Sequence, residues 1–405
     1  MVSSINDDNM FELLGLLNVA KIYPQLADVE KITLIMEAKN FPENSAFIAS
    51  NSQVKEQRII PDCYNLTYPS RVNWQNPQAP AFSFPGTAVE FSFTGTSLKL
   101  ELSEDNWGDR NYIDVYLDDN PKPITIKLKR DWNKKSVIYN IASGLENKPH
   151  HVSIVKRNDF ITGKFELHSI ITDGELLSAK PLGKRKIEVY GDSISAGAVV
   201  EYAGVGEQDP DGDTNHLSNG YYSYASMLAR HYDAELSLVA QSGAPLAEGF
   251  GFWNQGTSAE DFYNRVAPLK DAPIWDFNNY RPDLVIIALG QNDSATVKIG
   301  KDMSAEEWKD RYKQLIANLR SQHPNAYFIG MFPNMYHDRE WNEYLTEAIA
   351  EYKQENNDER IFSLIHEQVT PGHPRISEQQ LMADRLQEFI DGTLVNNGFN
   401  WNLAD

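Results

Sequence analysis

Hydrophobic and polar residues alternate with a period of two through much of the first half of the chain. Between about Ile59 and Asp173, short alternating runs such as AVEFSFTGTSLKLELSE and YIDVYLDDNPKPITIKLK are separated by Gly, Asn, Asp and Pro. A period of two places every second side chain on the same face of a strand, and many short runs of this kind are typical of an antiparallel sandwich. We therefore predict a β-sandwich of the jelly-roll type in this part of the chain.

The pattern changes after the segment LSAKPLGKRK. Apolar, β-branched runs now alternate with amphipathic segments of helix length; the runs are KIEVY, ELSLVA, DLVIIALG, AYFIGMF and RIFSLI. Strands that alternate with helices predict a doubly wound parallel sheet covered on both faces. The predicted fold class is thus α/β with an N-terminal antiparallel β-sandwich. The sandwich domain is predicted at residues 56–178 and the α/β domain at residues 184–405. Residues 1–55 have apolar residues at helical spacing and are predicted to form a helical or mixed extension.

Composition and charge narrow the possible partners. The net charge of -20 over 405 residues disfavours nucleic acid and anionic membranes, because both would be repelled. Cys63 is the only cysteine, which excludes an intrachain disulfide and a multi-cysteine zinc site. The apolar stretch near Phe11–Val19 is short and lacks a preceding basic region, so it is a poor signal peptide. We expect a cytoplasmic protein from the sequence as it stands, or a secreted one if a leader has been lost, and the oligomeric state stays open.

Candidate chemistry follows the predicted parallel strands, at the edge where open α/β sheets bind ligands. Ser193 lies in GDSIS, Gly243 in QSGAP, Asn292 in LGQND and His373 in GHP. Each has an ordinary alternative: a serine or asparagine can cap a helix, a glycine can complete a turn, and a histidine before proline can lie in a surface loop. Together they suit acyl transfer, because a histidine can take the serine proton and N–H donors can stabilise an oxyanion.

These four blocks resemble those of the SGNH (GDSL-like) hydrolases over about residues 186–392. With the preceding sandwich, the chain resembles carbohydrate esterase family 2, whose members are two-domain acetyl esterases acting on xylan and other plant cell-wall sugars. The resemblance implies an SGNH-type sheet, Ser193 as nucleophile and His373 as base. It also implies an oxyanion hole formed by Ser193, Gly243 and Asn292.

The chain departs from the SGNH pattern in one position. Many of these enzymes have an Asp three residues before the histidine, where this chain has Thr370. A hydroxyl cannot supply the negative charge that stabilises an imidazolium, and some members of the esterase family lack that Asp. We therefore predict a Ser193–His373 dyad in which backbone carbonyls orient the imidazole. Asp192, next to the nucleophile, and His366, at a strand end, are predicted to have structural roles.

Sugar-binding and metal-binding side chains are less clearly marked. Aromatic faces commonly hold sugars, although core packing is as frequent a role for a tryptophan; the substrate-binding candidates are Trp253, Trp275 and Trp107. The alternating Asp209, Asp211 and Asp213 resemble a calcium loop, but Thr214 and Gly220 stand where an EF-hand requires Gly and Glu. We expect no metal and no cofactor, and interpret the segment as a polar loop beside the active-site mouth.

The expected function is that of a serine esterase acting through an acyl-enzyme. Its substrate would be an acetylated oligo- or polysaccharide of the acetyl xylan or acetyl glucomannan type. Two alternatives remain open at this point: a carbohydrate-binding protein with little catalysis, and a broad short-chain acyl esterase. A lipase or thioesterase would need a larger apolar cleft than these Asn-, Gln- and Trp-containing loops suggest.

Overall fold

The computed structural model describes residues 56–105, 110–118, 120–131, 133, 135–179, 181, 183–252 and 256–401. The predicted extension at residues 1–55, as well as Trp107 and Trp253, lies outside these ranges. From Glu56 onward the chain forms one compact unit, in which two antiparallel sheets precede one parallel sheet. The two sequence patterns therefore correspond to two kinds of sheet.

The antiparallel part is a sandwich built around a shared apolar core. Its strands are β1 (Gln57–Ile59), β2 (Ala81–Phe82), β3 (Ala88–Phe93), β4 (Ser97–Glu104), β5 (Tyr112–Leu117), β6 (Ile124–Lys127), β7 (Val137–Ser143), β8 (His150–Lys156) and β9 (Phe165–Thr172). One sheet has the order β1-β9-β4-β7 with β2 beside β9, and the other has the order β3-β8-β5-β6. Buried residues alternate along β4, and Leu100 of one sheet shares a core with Phe91 of the other. The predicted antiparallel sandwich is confirmed, and its jelly-roll subtype stays a prediction.

The parallel sheet carries the C-terminal half of the fold. Its strands are β10 (Arg185–Gly191), β11 (Ala234–Ala240), β12 (Leu284–Ala288), β13 (Tyr327–Phe332) and β14 (Ile361–Ile365), in the order β11-β10-β12-β13-β14. Every residue of β12 and β13 is buried, which explains their continuous apolar sequences. All five strands lie within a few residues of the predicted runs. The predicted doubly wound α/β fold is confirmed.

Helices cover both faces of this sheet and form a separate apolar core on each. They are α1 (Tyr224–His231), α2 (Ala259–Phe262), α3 (Gln291–Thr296), α4 (Ala305–Gln322), α5 (Glu340–Asn356) and α6 (Ile376–Phe389). Helix α4 begins with a capping box between Ser304 and Glu307 and buries a stripe that includes Trp308 and Tyr312. In the parts of the chain that the structure describes, no helix is both long enough and apolar enough to cross a membrane.

A buried ion pair joins the segment between β1 and β2 to the strand that leads to the nucleophile. Arg71 contacts Glu188 at 2.8 Å, and both side chains are buried. Burial raises the pKa of Glu188, but the Arg71 guanidinium and a hydrogen bond from His323 outweigh it and lower the value to about 2. Removing one partner of such a pair is strongly destabilising because the other charge stays buried. The contact therefore fixes β10 relative to the N-terminal part of the fold.

Candidate active site

The predicted site residues lie beyond the carboxyl ends of the parallel strands. Residues 192–200 follow β10 as a series of turns rather than an α-helix. Ser193 is therefore not a helix N-cap, which was the ordinary alternative for this residue. The chain order of the strands reverses between β10 and β12, and such a switch point is where open α/β sheets bind ligands.

Ser193 and His373 are in hydrogen-bonding contact. The distance from Ser193 Oγ to His373 Nε2 is 2.8 Å, although 180 residues separate them in sequence. The other ring nitrogen, Nδ1, lies 2.5 Å from Asp209 Oδ2. Because a carboxylate only accepts, Nδ1 carries the proton and Nε2 has the lone pair that can accept from the serine. The contact thus leaves His373 in the tautomer that a general base needs.

Asp209 supplies the carboxylate that the sequence pattern lacked, so the prediction of a dyad is wrong. Its Oδ1 accepts from the backbone N–H of His373 at 3.0 Å and from Arg375 Nη1 at 2.8 Å. Burial raises the pKa of Asp209, but the hydrogen bonds from His373 and Arg375 outweigh burial and hold the pKa well below its usual range. The carboxylate therefore stays ionised beside the imidazole, where it can stabilise a positive charge.

Thr370, at the position of the missing Asp, supports the loop rather than the imidazole. Its Oγ1 donates to Gly372 O at 2.6 Å, and its backbone N–H donates to Asn334 O at 2.6 Å. These bonds tie the segment that carries His373 to the end of β13. The threonine acts through the backbone that places the histidine.

Two backbone N–H groups near Ser193 are free to bind an oxyanion. Within the described ranges, neither Ser193 N–H nor Gly243 N–H has a hydrogen-bond acceptor. Gly243 has φ +77°, a conformation that favours glycine. The Asn292 amide is at the same site, but Nδ2 donates to Asp192 Oδ2 at 3.2 Å and to Ala244 O at 3.1 Å. Asn292 would therefore have to share or exchange one of these bonds to contact an oxyanion.

Asp192 lies beneath the nucleophile as a fully buried carboxyl group. It accepts from Ile194 N–H at 3.0 Å in addition to the Asn292 amide. Burial raises the pKa of Asp192 to about 7, with a contribution from nearby Asp293. Its contacts shape the turn after β10 and hold Asn292, in keeping with the structural role predicted for it.

The candidate site opens into a cavity of about 360 Å³. The sandwich contributes one wall through Asn158, Asp159 and Ile161. Asp159 Oδ2 accepts from Ser242 N–H at 2.7 Å, and so supports the turn that carries Gly243. The loop between β8 and β9 therefore positions the turn that carries Gly243 and also lines the cavity.

Of the three tryptophans predicted to bind the sugar, Trp275 is the one that lies within the described ranges. Trp275 is not among the described residues that line this cavity. Its ring instead packs against the Arg71 guanidinium, 5.6 Å from the ring centroid, at the buried ion pair. The structure thus gives Trp275 a packing role and does not bring it to Ser193. The apolar side chains at the cavity include Phe252 and Ile161, both more than half exposed.

The acidic loop and the second histidine show no metal-site geometry. Across the described ranges, no group of three or more His, Cys, Asp or Glu side chains could hold a metal ion. Asp209 is occupied by His373 and Arg375, while Asp213 accepts from the backbone and side chain of Asn215. His366 lines a separate cavity, and burial lowers its pKa to about 4. The calcium loop considered from the sequence therefore has no structural support in Asp209 and Asp213.

Asp209 and Arg375 are the functional candidates that sequence reasoning missed. The signal was present as an acidic loop after the nucleophile and an arginine two residues beyond the histidine. Asp209 lies 164 residues before His373, so spacing alone could not pair them. A charged pair can be recognised at that distance only when the fold brings both loops to the same sheet edge.

Two family models match the chain. The carbohydrate esterase 2 N-terminal model matches residues 68–181, and the GDSL-like lipase/acylhydrolase family model matches residues 189–396, about half of the chain. Among solved structures, a family two carbohydrate esterase from Clostridium thermocellum in complex with cellohexaose is 27% identical, with a TM-score of 0.71 over 82% of this chain and 99% of that one.

Curated relatives carry esterase names. The chain is 28% identical over 362 residues to the cellulase/esterase CelE of Acetivibrio thermocellus, covering 85% of this chain and 41% of the relative. It is 29% identical over 250 residues to the acetylxylan esterase / glucomannan deacetylase of Cellvibrio japonicus, covering 61% of this chain and 65% of the relative. The chain thus spans less than two thirds of the length of either. The two models and the shared fold show that the chain belongs to the GDSL-like lipase/acylhydrolase family, in the two-domain arrangement of the family two carbohydrate esterases.

Proposed function

We propose that this protein is a serine esterase that removes O-acetyl groups from plant cell-wall carbohydrate through an acyl-enzyme. The observation that carries the proposal is the continuous contact from Ser193 Oγ through the imidazole of His373 to the carboxylate of Asp209. The free N–H groups of Ser193 and Gly243 lie in the same cavity and support an oxyanion hole. A nucleophile, its base and oxyanion donors together suit acyl transfer.

In the proposed reaction, Ser193 Oγ attacks the acetyl carbonyl carbon while its proton passes to His373 Nε2. The carbonyl oxygen becomes an oxyanion that accepts from Ser193 N–H and Gly243 N–H. Collapse breaks the ester C–O bond, and His373 gives the proton to the departing sugar oxygen. Water then attacks the acetyl-serine, His373 takes its proton and returns it to Ser193 Oγ, and acetate leaves. Asp209 stays ionised and stabilises the imidazolium in both halves.

The lining of the cavity favours a carbohydrate leaving group. Polar side chains from both parts of the fold line it, including Asn158, Asn215 and Gln291. Gln291 Nε2 donates to Tyr336 O at 2.9 Å, while its Oε1 is buried without a partner in the described structure. Phe252 lines the cavity and is 64% exposed. Hydrogen-bonding groups beside an exposed aromatic ring suit an amphipathic sugar better than a long acyl chain.

The relatives' names support the substrate class. One is an acetylxylan esterase / glucomannan deacetylase, and one solved relative was crystallised with cellohexaose. Acetylated xylan and acetylated glucomannan are therefore the substrates proposed for this chain. The preferred glycan is to be measured as acetate release across acetylated xylan, glucomannan and monosaccharides.

The test of catalysis compares two serine variants. Ser193→Ala should abolish turnover of 4-nitrophenyl acetate and acetate release from polysaccharide, because the nucleophile is lost. Ser321→Ala, near the end of α4 on the surface, is the matched control and should behave as the parent protein. Full activity in Ser193→Ala would overturn the proposal. Tight glycan binding by calorimetry, with no acetate release by the parent protein, would instead support a binding protein with little catalysis.

A further inference from the structure

The side chain of Arg375 joins both loops of the candidate site. It is nearly fully buried at the start of α6, with 2% of its side chain exposed. Nη1 donates to Asp209 Oδ1 at 2.8 Å and to His373 O at 2.5 Å. The one guanidinium therefore contacts the acid's carboxylate and the backbone of the histidine.

The same guanidinium holds the backbone that leads to Asp209. Its Nε donates to Gly204 O at 3.2 Å, and Nη2 donates to Glu207 O at 3.3 Å and Gln208 O at 3.2 Å. These carbonyls belong to a loop without helix or strand, the segment 204–209. A planar fork with several fixed donors is suited to holding an irregular loop, whereas a lysine ammonium cannot reach all of these acceptors at once.

Gly372 allows the segment 204–209 to lie against the histidine loop. A Cβ at this position would come within 2.8 Å of Asp209 Oδ1, 2.8 Å of Glu207 O and 2.9 Å of Asp209 N. No ordinary side chain tolerates contacts this short. The close approach of the two backbones is thus independent evidence, besides the hydrogen bonds, that the loops fit together at this point.

We infer that Arg375 is a positioning residue of the proposed esterase reaction, which holds the segment 204–209 against His373 so that Asp209 remains in contact with the imidazole. The inference rests on the proposed function. Asp209 comes from a loop with no regular secondary structure, so the hydrogen bond to Nδ1 depends on what fixes that loop. Arg375 also places a positive charge on the oxygen of Asp209 that faces away from Nδ1. It acts on the reaction through Asp209 and does not itself touch the reacting atoms.

A double-mutant cycle tests this role. Arg375→Gln should lower kcat on 4-nitrophenyl acetate by about 10- to 100-fold with little change in KM, because small displacements of a supporting group have effects of this size. In an Asp209→Ala background, the same substitution should cost less than about threefold, because the residue through which it acts is already missing. Arg375→Lys should be intermediate in the parent background, since it keeps the charge but loses contacts with the carbonyls.

A spectroscopic signal separates positioning from general stability. The downfield proton resonance of His373 Nδ1–H should be present in the parent protein and absent in Arg375→Gln. Arg385→Gln, on the exposed side of α6, is the matched control and should change neither kcat nor this resonance.

The outcomes are distinct. Equal fold losses from Arg375→Gln with and without Asp209, or an unchanged Nδ1–H resonance, would overturn the inference. If Arg375→Gln does not fold, the cycle is read from Arg375→Lys, and equal losses in both backgrounds have the same meaning. Failure of the parent protein to turn over any acetyl ester would contradict the proposed function instead. In that case the Nδ1–H resonance would still report whether Arg375 holds Asp209 at His373.

Discussion

Replacing Asp209 by asparagine should be more damaging to catalysis than replacing it by alanine. In the structure, Oδ1 of Asp209 accepts from His373 N–H and from Arg375 Nη1, and both of these groups can only donate. In Asp209→Asn, the oxygen of the new side-chain amide must therefore occupy this position. Its NH₂ group is then directed at His373 Nδ1, which lies 2.5 Å from the other carboxylate oxygen in the parent protein.

This arrangement forces the wrong tautomer. An NH₂ donor at Nδ1 requires a lone pair there, so the ring proton moves to Nε2. Nε2 then faces Ser193 Oγ as a donor and cannot accept the serine proton. Loss of the correct tautomer and of the negative charge costs about 10³- to 10⁴-fold in kcat in such a triad. This corresponds to about 4–5.5 kcal/mol of transition-state stabilisation. Asp209→Ala leaves the imidazole free to hold its proton on Nδ1, so its loss should be smaller.

The assay is kcat and KM for 4-nitrophenyl acetate at pH 7, with folding of each variant checked by circular dichroism. We expect kcat to decrease in the order parent, Asp209→Ala, Asp209→Asn, with similar KM values throughout. An Asp209→Asn protein with more than a tenth of the parent kcat would refute the tautomer argument. An Ala variant worse than the Asn variant would also contradict it, and would point to loop collapse as the main effect of losing Asp209.

Two further predictions follow from single contacts. Thr370→Ala removes the bond from Oγ1 to Gly372 O, so kcat for 4-nitrophenyl acetate should fall by about tenfold, the effect of one lost buried hydrogen bond. Thr370→Ser keeps the bond and should stay near the parent value. Equal activity of the two variants would contradict this role. Burial raises the pKa of Glu235 to about 7. The folded protein therefore binds more protons than the unfolded chain between about pH 4 and 7, and the contribution of protonated Glu235 to folding stability is lost as the pH rises through 7. Thermal unfolding should show a decrease in Tm between pH 6 and pH 8 that is smaller in Glu235→Gln by about 1–2 °C; the same decrease in both proteins would count against it.

The regular elements were predictable because they depend on local sequence pattern. The helix over 305–322 is one of the amphipathic segments of helix length in the sequence, and its capping residues and apolar stripe are both local signals. The parallel strands were recognisable because burial on both faces demands continuous apolar runs. Neither signal reports which loops meet, and Trp275 illustrates the limit. Its surroundings in sequence contain polar residues, yet its ring packs on Arg71, which lies about 200 residues earlier in the chain.

Three of the candidate site residues could be located from sequence because the fold defines where their strands end. Ser193 follows the end of β10, Gly243 follows the end of β11, and Asn292 lies at the start of α3. The ends of parallel strands meet at one edge of the sheet, so these three residues are expected to lie close together. The state of Asn292 did not follow in the same way. Its amide is held by Asp192 and Ala244, which are contacts that depend on side-chain geometry rather than on position in the sheet.

The carboxylate partner of His373 shows why a missing motif residue is weak evidence for a missing charge. A carboxylate that stabilises the imidazolium must lie within hydrogen-bonding distance of Nδ1, but this condition does not fix where in the chain the carboxylate originates. Here a glycine at 372 leaves room for a second loop, and Arg375 supplies donors that hold that loop in place. A side chain at position 372 would exclude Asp209 from this position. Gly372, Arg375 and the acidic loop are therefore one structural solution, and the Thr370 position is free to support the backbone because the charge is provided from elsewhere.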